Sequence, residues 1–132
     1  MGFIYVVAGI IAGFVVLMLG MRFFIQFKSS AMKGRSAPEL AGKPGKILKR
    51  HPAALFYFYS PSCGACASMT PAVKKLALQT ENVVAVDISK DMDTARKFGV
   101  MATPTLVVVR EGIIKEILIG PQSPAVIEAQ LG

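Results

Sequence analysis

The chain changes character sharply along its length in how apolar and polar positions alternate. Residues 2–21 carry no charged side chain and read GFIYVVAGIIAGFVVLMLGM. A helix exposed to water keeps one polar face, and this stretch has none. Twenty residues at ~1.5 Å each reach ~30 Å, the thickness of a bilayer's hydrocarbon core. The pattern predicts a transmembrane helix over 2–21, extended into the interface by Phe23, Phe24, Ile25, Gln26 and Phe27. Two other readings compete. A cleaved signal peptide needs a basic leading region and a short apolar run. Here only Met1 and Gly2 lead, and the weak cleavage candidate Ser29-Ser30-Ala31 follows Arg22 and Lys28. A buried core helix would seldom be apolar on every side over this length.

Beyond Lys28 the composition turns to Ser, Gly, Lys and Pro as far as Pro44, as in linkers. Ile47 and Leu48 among basic residues suggest a short amphipathic helix over 45–51, and Pro38 to Ala41 a single helical turn. Periodic structure follows. Ala53 to Tyr59 is an apolar and aromatic run between Pro52 and Ser60-Pro61, the pattern of a buried strand. Cys66, Met69, Val73, Leu76 and Ala77 recur at helical spacing, which predicts a helix over 63–80 kinked by Pro71. Residues 82–88 read as a second strand. Residues 91–98 read as a short helix, capped by Ser89 or Asp91 and stopped by Gly99. Strands over 105–110 and 113–119 flank the Glu111-Gly112 turn as a hairpin, and a helix over 123–131 has Ser123 as its cap and Pro124 at its first position. Strands separated by helices should pair in parallel, with the hairpin adding antiparallel strands. The expected architecture is α/β: a mixed four-stranded sheet flanked by helices, preceded by one transmembrane helix. The divisions are 1–27 for anchor and interface, 28–50 for a basic linker and 51–132 for the globular domain.

Charge sharpens this division. The net charge is +7. Residues 22–50 hold eight Lys and Arg against Glu39 alone, whereas residues 51–132 hold seven basic and seven acidic residues. The basicity thus belongs to the stretch after the anchor. Nucleic-acid binding, which needs a basic face on a folded element, is set aside. A basic stretch following a membrane helix suits anionic lipid headgroups, at ~1 kcal/mol per residue near the surface, or simply serves as a solvated tether. Lys and Arg tend to remain on the cytoplasmic side of a span, which favours a cytoplasmic domain over an extracytoplasmic one. Gly9 and Gly13 form a GxxxG motif that allows anchor helices to dimerise, and Tyr5 suits the opposite interface.

The chemistry rests on two cysteines, Cys63 and Cys66, with Gly64-Ala65 between them and Ser62 before them. They fall where a strand gives way to a helix. Two intervening residues in a first turn bring the sulfurs within bonding reach. A helix N-terminus favours a thiolate, so Cys63 is the expected nucleophile, with its pKa below the free-thiol value of about 8.5. Cys66 is the expected resolving thiol. Gly64 and Ala65 crowd the sulfurs little and supply no charge. A lone CxxC also serves as half a zinc site, but the remaining ligands are His51 and carboxylates. A purely structural disulfide is the other alternative, although so short a loop constrains the unfolded chain little. Thr103-Pro104 opens the strand at 105, where proline is tolerated. A trans bond would be ordinary there. A cis bond would expose the Thr103 backbone to pair with an extended substrate segment.

From Pro52 to Gly132 the chain resembles the thioredoxin family. The matching features run in order: an apolar strand, Ser62-Cys63-Gly64-Ala65-Cys66, a helix with Pro71, Ala95 to Val100, Thr103-Pro104-Thr105-Leu106, the Gly112 hairpin and Gly120. The resemblance implies a thiol–disulfide oxidoreductase without a cofactor, acting on protein thiols and disulfides near the membrane, with Cys63 attacking, Cys66 resolving and Pro104 as the family's cis-proline. The alternative function is a thioredoxin-like docking module of a membrane complex that does not turn over. The departures are specific. Ser62 replaces the family's tryptophan. Gly-Ala replaces Gly-Pro between the cysteines. Tyr57 and Ala85 stand where classical members bury an aspartate and its lysine partner. That exchange suggests an apolar pocket beneath Cys66, which would raise its pKa and slow its attack.

Overall fold

A computed structural model describes residues 1–131, and the side chains of all these except residues 28–30. Gly132, the last residue of the expected domain, lies outside the described residues. The first element is a single long helix, α1 (Gly2–Ser30). Within Gly2–Phe27 the most apolar 18 residues have a mean hydropathy of 2.6, and none of them is buried against protein. A core helix would be covered, so the structure removes that reading.

The globular part contains α2 (Gly42–Arg50), β1 (Ala53–Tyr59), a 3-10 turn (Ala65–Ser68), α3 (Thr70–Gln79), β2 (Val83–Asp87), α4 (Met92–Lys97), β3 (Thr105–Arg110), β4 (Ile113–Ile119) and α5 (Pro124–Ala129). The four strands form one sheet in the order β2-β1-β3-β4. β1 pairs in parallel with β2, Tyr57 lying opposite Ala85. It pairs antiparallel with β3, Phe58 lying opposite Thr105. The mixed sheet is as expected, but β3 does not lie parallel beside β2 as its helical connection suggested. The chain crosses β1 instead and enters from the opposite direction. β3 and β4 form the predicted hairpin, its turn made by Glu111 at φ 53 and Gly112 at φ 75. Positive φ at both central residues matches the twist of a two-residue hairpin.

Alternate residues of β1 feed two cores, which explains why the strand reads as one apolar run. Ala54, Phe56 and Phe58 join Ile47 of α2, Ala95 of α4 and Phe98 on one face. Phe98 anchors that face, its ring centroid 5.0 Å from Phe56 and 5.8 Å from Phe58. Leu55 and Tyr57 join Met69, Val73 of α3 and Ile127 of α5 on the other. Two caps were legible. Asp91 accepts from the Thr94 N–H at 3.1 Å, and Ser123 from the Val126 N–H at 3.4 Å.

The stretch expected to be a basic linker packs on the domain. The Gly34 N–H donates to the Ile114 carbonyl and the Ala37 N–H to the Gly112 carbonyl, both at 2.7 Å. Ser36 thereby bridges antiparallel to Ile113 on the outer edge of β4. Lys33 pairs with Glu116 at 2.9 Å. Met32, Ala37, Leu40 and Leu48 pack on the Phe98 core. An edge strand left bare offers unpaired backbone groups to other chains, and this segment covers part of β4.

Candidate functional site

The site is built at the end of the sheet where β1 and β2 stop and β3 begins. Ser60 to Gly64 leave β1 as a loop, in which the Cys63 N–H donates to the Ser60 carbonyl at 3.1 Å. Cys63 and Cys66 are joined as a disulfide, with Cα atoms 5.3 Å apart. Cys63 is partly exposed, whereas Cys66 is 1% exposed. That asymmetry suits the roles expected for them, Cys63 as the attacking sulfur and Cys66 as the resolving one.

The local helix differs from the expectation. The cysteines do not open a continuous helix over 63–80. Cys63 precedes a 3-10 turn, and α3 starts only at Thr70, with Pro71 in its first turn. Proline lacks an N–H and fits a first turn, where that donor has no intrahelical partner. Pro71 therefore separates two helical pieces instead of kinking one. The group poised at Cys63 is the Cys66 backbone N–H, which donates to its Sγ at 3.2 Å.

The space beneath Cys66 is not purely apolar. The buried Tyr57 hydroxyl donates to the Cys66 carbonyl at 3.3 Å and lies 2.9 Å from Thr70 Oγ1. Thr70 donates to the same carbonyl at 2.8 Å. Two hydroxyls therefore converge on the backbone of Cys66. Burial raises the Tyr57 phenol above its ordinary value of 10.0, opposed by the Thr70 hydrogen bond. Tyr57 is thus a neutral hydrogen-bonding group at neutral pH. Thr70 was missed in the sequence. Its signal was its place four residues after Cys66, where a helical threonine bonds back to the i−4 carbonyl.

A cavity of about 440 Å³ opens beside the pair, lined by Cys63, Cys66, Thr70, Lys74, Asp87 and Lys90 among others. Lys74 lies over the Tyr59 ring, 5.2 Å from its centroid, and that ring stacks on Tyr57. The Ser89 hydroxyl and N–H donate to Asp87 at 2.6 and 2.9 Å. The hydroxyl bond is the main cause that holds Asp87 below its ordinary carboxylate value.

The Thr103–Pro104 bond is cis. Pro104 is buried at the start of β3, and its carbonyl accepts from the Gly120 N–H at 2.9 Å. Register places this loop at the same end of the sheet as the cysteines. Ser62 is exposed, its hydroxyl 2.9 Å from that of Ser60. Gly64 and Ala65 are exposed beside the disulfide. His51 is not brought to the site. It precedes β1 at the far end of that strand, 3.6 Å from Glu81.

A four-stranded mixed sheet, a CxxC disulfide after its central parallel strand and a cis-proline at the same end define a dithiol protein of the thioredoxin fold. A family model described as Thioredoxin matches residues 44–132, and the chain belongs to the thioredoxin family. It is 33% identical over 66 residues to the thioredoxin of Bacillus subtilis, a match covering 48% of this chain and 64% of that one. It is 39% identical over 74 residues to human protein disulfide-isomerase A2, covering 52% of this chain and 14% of that one. The chain thus spans less than two thirds of the length of these curated relatives. Among solved structures, a mutant thioredoxin from Halobacterium salinarum superposes with a TM-score of 0.57 at 29% identity, covering 64% of this chain and 75% of that one. A reduced thioredoxin from Schistosoma mansoni gives 0.57 at 28% identity, covering 68% and 88%.

Proposed function

We propose that the chain is a membrane-tethered thiol–disulfide oxidoreductase that exchanges disulfides with protein substrates through Cys63 and Cys66. The observation that carries this reading is the asymmetry of the bonded pair: an accessible Cys63 that receives the Cys66 N–H, and a buried Cys66. In the dithiol form, the Cys63 thiolate attacks one sulfur of a partner disulfide. A mixed disulfide forms, and the other partner sulfur leaves as a thiolate that takes a proton from water. Cys66 loses its proton and attacks Cys63 Sγ, which closes the internal disulfide and releases the second partner thiol. Two electrons pass from the pair to the partner, and the reverse sequence oxidises a partner dithiol. Thr103, beside the cis bond, offers its backbone to an extended partner segment.

The helix Gly2–Phe27 supports a single-pass anchor by its length and composition. The basic residues after it favour a cytoplasmic domain. The test is insulin reduction by the full chain in liposomes, driven by a small dithiol. The native chain should accelerate turbidity, and Cys63→Ser should run at the background rate. Equal rates for the two would refute catalysis. An alkaline phosphatase fusion after Leu131 tests the orientation, and activity of the fusion would refute the cytoplasmic side.

A further inference from the structure

The way the anchor meets the sheet fixes which end of the domain faces the bilayer. Lys33 to Ala37 run along the outer edge of β4 in one direction, and Ile25 lies ahead of them at one end of that strand. Ile25 lies with Gly99, Val100, Met101, Thr105, Ile117 and Ile119 around a small cavity at the C-terminal end of β4. Lys33 then reaches Glu116, Gly34 meets Ile114, and Ala37 meets Gly112 at the hairpin. The order is antiparallel to β4. Ile25 is thus placed at the Ile119 end, and the residues of α1 that precede it join the domain from that end.

That is the redox end. Ile119 pairs with Thr105, and Thr105 with Phe58 near the end of β1. The cis Thr103–Pro104 bond and the loop to Cys63 lie at this end. The uncharged stretch stops at Met21, and Ile25 lies four residues, or ~6 Å, further along the helix. A headgroup layer is about 5–8 Å deep on each side of the hydrocarbon. β1 is two strands from β4, about 10 Å across the sheet. The rim also carries apolar groups that stay partly open beside Ile25: Met101 is 52% exposed and Ile119 36%. Basic α2 lies elsewhere. Its Lys49 shares a cavity with Gly112 at the hairpin end, whereas Arg22 directly follows the uncharged stretch, where headgroups lie.

We infer that the dithiol is held at headgroup level and acts on disulfides in extended segments of membrane-embedded proteins that emerge next to the bilayer surface. This rests on the oxidoreductase reading and adds the partner's class and position. Met101 and Ile119 meet the apolar flank of such a segment where it leaves its own membrane span, while the Thr103 backbone pairs with its extended part. The exchange is the one written above: the pair in its dithiol form is oxidised by two electrons as the partner disulfide is reduced, with no other reactant in a single turnover.

The test uses the full chain in its dithiol form, reconstituted in phosphatidylcholine liposomes. One disulfide-bonded peptide is supplied in three versions: free, joined directly to a hydrophobic transmembrane helix, and joined to that helix through a rigid helical spacer of ~45 Å. Both tethered versions share the membrane surface, so their comparison isolates height above it. Acid-quenched thiol trapping reads the single-turnover rate. The near peptide should react at least roughly tenfold faster than the distant one. A flexible insertion of about ten Gly and Ser residues after Ser30, reaching ~15–20 Å, should narrow that ratio to within about twofold and leave the free-peptide rate unchanged. Equal near and distant rates, with the free peptide still reduced, overturn the placement and spare the oxidoreductase. Failure to reduce any of the three overturns both. An unchanged ratio in the insertion variant shows that the docked anchor does not set the height, and also overturns the placement.

Discussion

The two ends of the sheet follow different rules. At the hairpin end, backbone groups are paired and apolar side chains are covered: Gly112 and Glu111 make a two-residue turn, Ala37 closes on Gly112, and Ile47 of α2 is buried above β1. At the redox end the sheet is left open. A cis peptide, a loop and a 3-10 turn hold an accessible sulfur, and the hydroxyls of Tyr57 and Thr70 rest on the backbone behind it. One end is built for stability and the other presents chemistry. A substitution should therefore change folding or exchange according to the end it occupies, and the separation fails only where a side chain serves both.

The largest effect expected is at the outer sulfur. Cys63→Ser should reduce disulfide exchange to background while urea denaturation, measured against the reduced native chain, moves little. A large loss of stability would mean that the site also holds the fold together. Next is the hairpin end. Ile47→Ala deletes buried methyl and methylene groups and should cost about 2–5 kcal/mol, read from the urea midpoint, with the exchange rate of the folded fraction unchanged. Gly112→Val forces a β-branched residue into positive φ and should cost about 1–2 kcal/mol, again without effect on exchange.

Tyr57 tests the separation directly, because it lies in a core and touches the site. Tyr57→Phe should cost about 0.5–1.5 kcal/mol, since Thr70 still holds the Cys66 carbonyl. It should also prolong the mixed disulfide, as seen by quenched trapping. Because the folded phenol is held above 10.0, the folded protein keeps a proton that the unfolded chain releases. Stability is then full below about 10 and falls as pH rises through the raised value. The phenylalanine variant should lose that alkaline decline. The smallest effect is at Asp87. Its carboxyl is held below 3.8 by Ser89, so its contribution is present above that pH and is lost as pH falls through the lowered value. Ser89→Ala should make the acid decline in urea midpoint slightly shallower, and an unchanged decline would remove Asp87 from the account.

Much of this was legible along the chain. The apolar run of β1, the Glu111-Gly112 hairpin, the caps at Asp91 and Ser123 and the CxxC each depend on residues close together in sequence, so local pattern is enough to read them. The unbroken helix over 63–80 was misread because Pro71 fits a first turn as well as a kink, and periodicity does not distinguish the two. The linker was misread for a different reason. Lys, Gly and Ser look solvated along the chain, yet Gly34 and Ala37 hydrogen-bond through their backbones, which side-chain composition does not report. The pocket beneath Cys66 looked apolar because Tyr57 was read without Thr70, thirteen residues away.

Sequence alone determined that a long apolar helix precedes an α/β domain with one CxxC pair, because helix length, strand alternation and a two-residue spacing are all local. Only the tertiary structure decided that β3 crosses to pair with β1, that Tyr57 and Thr70 meet at Cys66, and that the segment after α1 runs antiparallel along the outer edge of β4. Those facts are contacts between residues far apart in the chain. They depend on which edges and faces remain open once the sheet has formed, and no short window of sequence carries that information.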